Sequence, residues 1–408
     1  MPSIIDTLQH LLITIFHYLT AFAFATQQES TNTTTAKMQH IVIVGGQYSG
    51  VGTAHRFLKK APKTTPYKVT LISRDSHFYW NLASPRGVVP GQISDKEIFH
   101  PIAEGFTQYG DKFEFVLGSA TGFDAESQTI KVATANGVER QISYDVLVLA
   151  TGARTKSDGT PFKSVGSTEA TKEALHKYQA SIKKAKTIAV IGAGTTGVET
   201  TGELAAAYGS DKKIILLASG PAVLNGFPSS NQQAVQGYLK TMKVDLRLNA
   251  KVKTSNETAQ GQTDITLEGG EKILADFVIP TYGVIPNTSF VPTKFLNQKG
   301  YINVDDHLRL QGLKNVYAIG EVSAFEPAQF MALEGQSTYM AKTLQQLLTG
   351  TTPAPYKKPS LRMQAVSVSK KHAAGHMFDY AFPSILFRTL RAKFFMDWLP
   401  GRVNGEGY

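Results

Sequence analysis

Short apolar runs, each followed by a glycine-rich turn and a stretch of helical periodicity, recur along the chain. The first run, at residues 41–44, leads through a turn into a predicted helix and then into an apolar strand at residues 68–72. A second unit with the same order occupies residues 187–217. A buried strand that enters a tight turn, opens a helix and returns as a second strand is typical of a βαβ unit. The pattern therefore predicts an α/β protein with two such units.

The two glycine-rich turns carry the most specific chemical signal. Their glycines are Gly45, Gly46 and Gly50 in the first turn, and Gly192, Gly194 and Gly197 in the second. Glycine at these positions lets backbone N–H groups and a helix N-terminus approach a pyrophosphate. The second turn has the full G-x-G-x-x-G spacing, whereas Gln47 stands at the middle glycine of the first. Two such turns predict two dinucleotides, held face to face.

Two further apolar strands end in small or acidic residues. One strand ends at Ala150-Thr151-Gly152, and another, near the C-terminus, ends at Gly320-Glu321. Between the two units, residues 113–144 are predicted to form short alternating strands with glycine turns.

Composition bounds the class of protein. A length of 408 residues allows two or three domains, and 42% apolar with 18% charged residues is ordinary for a globular protein. The chain has no cysteine. This excludes a disulfide framework, a thiolate metal site, a nucleophilic cysteine and a redox-active dithiol.

The net charge of +10 is concentrated towards the C-terminus. Residues 357–408 hold nine lysine and arginine residues against three acidic ones, interleaved with large apolar side chains such as Phe382 and Trp398. That mixture favours a membrane surface or a buried helix over a nucleic-acid-binding arm, so we expect no nucleic-acid partner. His372 and His376 also lie here, but without further ligands they indicate a polar loop, and no metal is predicted.

The N-terminal segment has three interpretations. Residues 4–25 are largely apolar, and residues 26–36 read as a polar linker. The apolar run fits a cleaved secretory leader, a spanning helix or an interfacial helix, and membrane attachment is favoured. The active domains are then expected on the cytoplasmic side, with the secretory pathway or the mitochondrion as alternatives.

The order of the motifs resembles a known group of flavoproteins. GxxxxG, Ala-Thr-Gly, GxGxxG, Gly-x-x-Pro-Asn and Tyr-Ala-Ile-Gly-acid follow one another as in proteins with two dinucleotide-binding domains. Residues 77–81 and 84–86 are similar to fungal members of the apoptosis-inducing-factor-like, ferroptosis-suppressor-like group. These are FAD-dependent pyridine nucleotide oxidoreductases related to type II NADH dehydrogenases.

The resemblance implies a domain layout for the whole chain. It predicts two Rossmann-like domains, with the FAD-binding domain split by an inserted NAD(P)-binding domain, and a small C-terminal α+β domain. The expected boundaries are 1–36 for the leader and linker, 37–152 and 301–350 for the FAD domain, 153–300 for the NAD(P) domain, and 351–408 for the C-terminal domain.

The resemblance also assigns an FAD site. Its residues are Gly45, Gly46, Gln47, Gly50, Ser73, Arg74, Arg86, Ala150, Thr151, Gly152, Gly320 and Glu321. Three positions depart from the family pattern: Gln47 replaces a glycine, Ser73 the ribose-binding acid, and Glu321 an aspartate at the ribityl chain. Asp75 is the alternative ribose acid. Arg86 is expected to bond pyrophosphate oxygens, with an ordinary surface arginine as the alternative.

A nicotinamide site follows from the second unit. Gly192, Gly194 and Gly197 form the pyrophosphate turn, and Gly283 is expected to let the backbone approach the nicotinamide ribose. Glu199 matches a family glutamate near the nicotinamide–flavin contact and is the one predicted catalytic residue; the alternative is an acid favoured by the helix dipole. The strand that ends at residue 217 is followed by neither an acid nor an arginine, so the choice between NADH and NADPH stays open.

The expected function is hydride transfer from NAD(P)H to FAD, then electron transfer to a quinone or similar acceptor, at a membrane. Two alternatives remain open: a flavin-binding cell-death or redox-signalling protein with low turnover, and a flavoenzyme of a specific biosynthetic pathway. A homodimer is also left open.

Overall fold

The computed structural model describes residues 38–63, 65–327, 329–360, 363–378, 380–382, 385, 387 and 393–408. The predicted apolar leader and linker at residues 1–36 lie outside these residues. The described chain forms two lobes, each built on a sheet with parallel central strands, and a short C-terminal part that packs on both.

A seven-stranded sheet forms the first lobe. Its strands, in spatial order, are β18 (Val316–Ala318), β8 (Val146–Leu149), β1 (Gln39–Val44), β2 (Tyr67–Ser73), β5 (Phe113–Asp124), β6 (Thr129–Thr134) and β7 (Glu139–Ser143). The first five strands run parallel, and β5, β6 and β7 pair antiparallel. The central strands are buried on both faces, which explains their unbroken apolar sequences.

Two long helices pack against each other beside this sheet, α1 (Tyr48–Lys60) and α7 (Phe330–Leu348). Helix α1 begins at the first glycine turn, so the turn and the helix N-terminus face the same edge of the sheet. Between the helices, Glu334 is buried and accepts hydrogen bonds from Arg56 and from Arg402.

The second lobe repeats the βαβ plan. Its parallel strands, in spatial order, are β12 (Asp245–Arg247), β11 (Lys213–Leu217), β10 (Thr187–Ile191) and β16 (Phe277–Pro280). Its helices are α4 (Thr168–Lys184), α5 (Thr195–Tyr208) and α6 (Ser229–Thr241). A small antiparallel sheet of β13 (Val252–Glu257), β14 (Thr263–Leu267) and β15 (Lys272–Ala275) covers one face.

Two chain crossings join the lobes. Strand β9 (Ala153–Thr155) leaves the first lobe and pairs antiparallel with β17 (Val284–Pro286), which returns to it. Beside this pair, the Thr151 hydroxyl donates to the Asn287 carbonyl (2.8 Å), and the Asn287 amide donates to the Thr151 carbonyl (2.9 Å). The two crossings are therefore fastened to each other.

Short elements lie between β2 and β5 and bring the first lobe against the second. They are β3 (His77–Tyr79), α2 (Ser84–Gly87), α3 (Asp95–Ile98) and β4 (Phe99–Pro101). Helix α2 packs on α5 of the second lobe.

The C-terminal part begins with an antiparallel sheet of β19 (Met363–Ser367), β20 (Ala373–Met377) and β21 (Tyr380–Ala381), called here the C-terminal hairpin. It packs on α5 at Gly202, where a Cβ would lie 1.6 Å from the Val368 carbonyl oxygen. This part completes a mixed α/β fold with two Rossmann-like units, and the predicted fold class is confirmed.

The final segment docks on the first lobe. Helix α8 (Leu399–Val403) packs near α1, and the buried His55 ring donates from Nε2 to the Val403 carbonyl at 2.8 Å. Tyr408 stacks over the same ring and beneath the Arg56 guanidinium. Within the described ranges, no helix is both long enough and apolar enough to cross a membrane.

Candidate functional site

A cleft of about 570 Å³ opens at the carboxyl ends of β1, β2 and β8. This edge is where ligands bind in open parallel sheets. The predicted residues that line it are Gly45, Gly46, Gln47, Ser73, Arg74, Ala150, Thr151, Gly152 and Glu321. The cleft thus brings together residues from both ends of the first lobe's sequence.

Gly45 and Gly50 of the first glycine turn have no room for a side chain. Gly45 has a φ of +127°, and a Cβ on it would lie 2.1 Å from the Ala150 carbonyl oxygen. A Cβ on Gly50 would lie 1.7 Å from the Gly45 carbonyl oxygen. The N-terminus of α1 therefore sits directly on the turn and presents backbone N–H groups to the cleft, as a pyrophosphate requires.

Gln47, the unusual residue of this turn, has a structural partner. Its side-chain oxygen accepts from the Tyr79 amide (3.0 Å), and its amide donates to the His77 carbonyl (3.2 Å). Its backbone is extended (φ −114°), a conformation that needs no glycine. The side chain thus fastens β3 to the turn, a contact that the sequence did not reveal.

The second predicted departure concerns the ribose-binding acid. The Ser73 hydroxyl is turned to its own chain, donating to the Asp75 carbonyl (2.8 Å) and accepting from the Asp75 amide (3.1 Å). Asp75 lies in the cleft lining and accepts from the Ser164 hydroxyl (2.8 Å). Burial raises the pKa of Asp75, against the lowering effect of the Arg74 charge. Asp75 is therefore the carboxyl group that the cleft presents at this edge.

A segment that we call the strap, residues 160–164, crosses beside the cleft. The Tyr79 hydroxyl donates to the Pro161 carbonyl (2.6 Å), and the Asn81 amide donates to the Phe162 carbonyl (2.9 Å). Its Lys163 forms an ion pair with Glu321, and both side chains line the cleft with about a fifth of their surface exposed (22% and 20%). Sequence reasoning missed Lys163, because no motif marks it.

Gly320, which precedes Glu321, is fixed by a hydrogen bond to α7. It has a φ of +76°, and its amide donates to the buried side-chain oxygen of Gln336 at 2.6 Å. Glu321, which stands where the resemblance implies an aspartate, pairs its carboxylate with Lys163 on the strap.

Arg86 is not brought into the cleft. Its guanidinium is 3% exposed and donates to both carboxylate oxygens of Glu203 on α5, from Nε at 2.9 Å and Nη2 at 2.8 Å. The pyrophosphate role expected for Arg86 does not fit this position, and neither does that of a surface arginine. The reason is that α2 turns the side chain towards the second lobe.

The second glycine turn has the same backbone design as the first. A Cβ on Gly197 would lie 1.8 Å from the Gly192 carbonyl oxygen, so the N-terminus of α5 sits on the turn. Gly194, in contrast, has open space around its Cβ position. The packing of the described residues therefore does not by itself require glycine at this position, which is the N-cap of α5. Gly283 lies where the chain returns between the lobes, and its carbonyl accepts from the Lys156 amide (3.1 Å).

Glu199 lies in the first turns of α5 and is buried (3% exposed). Its carboxylate accepts from the Ser367 amide at 3.0 Å. This contact ties α5, the helix that begins at the second glycine turn, to the C-terminal hairpin. Among the described residues, no group of three His, Asp or Glu side chains could hold a metal ion. The ring of His372 stacks on Tyr238 (centroids 4.6 Å apart), and His376 bonds within its own hairpin.

Two lobes, each with a glycine turn at the carboxyl edge of parallel strands, define the class as a protein with two dinucleotide-binding folds. The family model "Pyridine nucleotide-disulphide oxidoreductase" matches residues 38–342. The chain belongs to this family, and it is an oxidoreductase without the cysteines that a disulfide reaction requires.

The relatives confirm the resemblance inferred from the motifs. A protein named "Oxidoreductase ptaL" from Pestalotiopsis fici is 49% identical over 372 residues, which cover 90% of this chain and 100% of that relative. "Ferroptosis suppressor protein 1" from Homo sapiens is 24% identical over 365 residues, covering 87% and 92%.

Solved structures share the fold at low identity. A sulfide:quinone oxidoreductase from Aquifex aeolicus has a TM-score of 0.74 at 19% identity, over 90% of this chain and 92% of that chain. NDH2 from Plasmodium falciparum, in complex with NADH, has a TM-score of 0.71 at 16% identity, over 90% and 99%.

Proposed function

We propose that the protein binds FAD in the cleft of the first lobe and NAD(P)H at the turn of the second, and transfers electrons from NAD(P)H to a quinone-type acceptor. The observation that carries this proposal is the pair of backbone cradles. Each places a helix N-terminus on a glycine turn at the carboxyl edge of a parallel sheet. FAD, when bound, supplies a ring that accepts hydride from NAD(P)H and passes electrons on.

The chain's own residues would bind and orient the two dinucleotides. The Gly45–Gly50 turn would hold one pyrophosphate, Asp75 the adjoining ribose hydroxyls, and Glu321 with Lys163 the chain between phosphate and ring. On the second lobe, the Gly192–Gly197 turn would hold the nicotinamide dinucleotide. The protein's task is alignment, since hydride transfer needs close stacking more than acid–base groups.

The quinone-type acceptor is inferred from the absence of cysteine in this chain and from the fold that it shares with a quinone-linked enzyme. Because the chain has no cysteine, no internal disulfide can take the electrons. The name of the Aquifex aeolicus protein includes quinone, and its fold is shared over nine-tenths of this chain. Large apolar side chains are exposed on and just after the C-terminal hairpin: Phe378, Tyr380, Phe382 and Ile385. They would suit contact with a lipid surface, where quinones dissolve.

The test is an anaerobic visible spectrum of the full chain, before and after addition of NADH or NADPH. We expect a flavin absorption band that one of the two nucleotides bleaches rapidly, and subsequent recovery on addition of a short-chain quinone. Gly194→Ala is the matched control. Its Cβ meets open space, so flavin content should be unchanged. Nicotinamide affinity should fall at least about tenfold, a cost of at least about 1.4 kcal/mol. A colourless protein that FAD cannot reconstitute would contradict the proposal.

Lys163→Met is expected to speed flavin release about tenfold, which corresponds to a loss of 1.4 kcal/mol. The substitution removes the partner of Glu321 and the ion pair that ties the strap to the opposite side of the cleft. The rate is measured from the rise in free flavin fluorescence after dilution. Lys163→Arg should keep the slow rate, and Lys177→Met, an exposed lysine of α4, controls for loss of charge. Equal release rates in Lys163→Met and in the unsubstituted protein would refute this role of the strap.

A further inference from the structure

Arg86 and Glu203 form a buried ion pair between the two lobes. Arg86 lies on α2, a few residues after Asn81 and Leu82, which line the first-lobe cleft. Glu203 lies on α5, the helix that opens at the nicotinamide turn. Each side chain is 3% exposed, and the two parallel N–H···O bonds are 2.9 and 2.8 Å long. This bidentate geometry fixes both distance and angle between the helices.

We propose that this pair is a positioning clasp that sets the nicotinamide lobe over the flavin lobe, so that the two rings meet at hydride-transfer distance. The proposal rests on the proposed function and deepens it. Arg86 is thereby a positioning residue, not a phosphate ligand, and Glu203 is its counterpart on the other lobe.

The clasp is continuous with both binding turns. Glu203 follows Gly197 by six residues on one helix, a rise of about 9 Å, so α5 transmits any shift of Glu203 to the pyrophosphate turn. On the first lobe, the Arg86 guanidinium also lies over the Phe394 ring, with Cζ 4.7 Å from the ring centroid. The backbone carbonyl of Phe394 accepts a hydrogen bond from the Trp80 indole at 2.7 Å. Trp80 directly precedes the cleft residue Asn81. Both lobes and the C-terminal segment therefore meet at one guanidinium.

Energetics favour a positional role over a purely stabilising one. Two charges withdrawn from water are costly, and replacing a buried ion pair by apolar side chains of similar volume is often neutral or stabilising. Removing one partner alone, in contrast, strands a buried charge and is strongly destabilising. This difference allows position and stability to be separated by experiment.

The experiment compares Arg86→Met, Glu203→Leu and the double variant in the full-length, FAD-loaded protein. We expect both single variants to lose thermal stability, and the double variant to regain most of it with unchanged flavin content. The limiting rate of flavin reduction at saturating NAD(P)H should nevertheless stay about 10- to 100-fold low in the double variant, the cost of about 1 Å of misplacement. Arg86→Lys keeps the positive charge but cannot form the bidentate pair, so its limiting rate of flavin reduction should lie between those of the unsubstituted protein and the double variant.

The controls distinguish a failure of the Arg86–Glu203 proposal from a failure of the proposed electron-transfer function. Lys393→Gln with Asp397→Asn removes an exposed ion pair near Phe394 and should change neither rate nor stability. A double variant that reduces its flavin at the unsubstituted rate would overturn the clasp. If the unsubstituted protein is reduced by neither nucleotide, the proposed function fails. Amide hydrogen exchange of residues 84–87 and 195–208 then decides: lost protection in the double variant supports a fixed lobe contact, and unchanged protection refutes it.

Discussion

Gly50→Ala is expected to yield a protein without bound flavin. The added Cβ would lie 1.7 Å from the Gly45 carbonyl oxygen, a distance that backbone atoms cannot accommodate without movement. The N-terminus of α1 must therefore retreat from the turn, and the backbone N–H groups leave the position that a pyrophosphate needs. We expect flavin affinity to fall by at least about a hundredfold, which corresponds to 2.8 kcal/mol. The readout is the ratio of visible to protein absorbance after purification and after incubation with FAD.

Gly194→Ala is the internal comparison for this result. It adds the same methyl group to the other glycine turn, at a position with open space, and should leave the flavin ratio unchanged. Thermal unfolding of both variants shows whether a loss of flavin reflects a local change at the turn or a global loss of structure. Full flavin occupancy in Gly50→Ala would contradict the assignment of the first-lobe turn.

Acidification is expected to destabilise the protein through His55. The ring is buried and neutral: Nε2 donates to the Val403 carbonyl, and Nδ1 accepts from the Tyr109 hydroxyl at 3.0 Å. Burial, reinforced by the charges of Lys59 and Arg56, lowers the pKa of His55 from 6.5 to about 4. The unfolded chain therefore binds a proton that the folded chain does not between these two values. Stability is fully present above pH 6.5 and falls by about 3 kcal/mol as the pH drops to 4.

His55→Gln isolates this effect from other titrating groups. Glutamine offers a donor and an acceptor but does not titrate. The free energy of unfolding should therefore fall less steeply as the pH is lowered, because unfolding of the variant takes up as much as one proton fewer. The measurement is urea unfolding of both proteins at several pH values between 4 and 7.5. Parallel pH profiles for the two proteins would show that His55 does not carry the dependence.

The sequence could predict those parts of the site that depend on backbone alone. The glycine turns require particular backbone paths, and these paths leave a spacing pattern in the sequence. Side-chain partners leave no such pattern. Gln47 departs from the family glycine, and the sequence does not reveal that its side-chain amide bonds to β3. Arg86 was expected at the pyrophosphate from the resemblance, but the direction of its side chain depends on how α2 meets α5.

Residues that act across the fold were the hardest to predict. Lys163 and Glu321 are 158 positions apart in sequence, and they meet only because the strap returns to the cleft. Glu203 and His55 stand on helices that are buried over several consecutive turns, and the sequence does not reveal which side chains meet them there. Docking of the C-terminal segment on α1 likewise depends on tertiary packing. The fold class, by contrast, follows from local strand–turn–helix patterns, and it was predicted correctly.

The contact at Gly202 makes α5 and the C-terminal hairpin a single exchangeable module. The helix has no side chain where the Val368 carbonyl rests against it, and the Glu199 carboxylate meets the Ser367 amide one residue away. Alanine would favour the helix by about 1 kcal/mol, but here the carbonyl occupies its place. A chimaera that imports the nicotinamide lobe of a relative should therefore fold only when residues 363–377 come from the same parent.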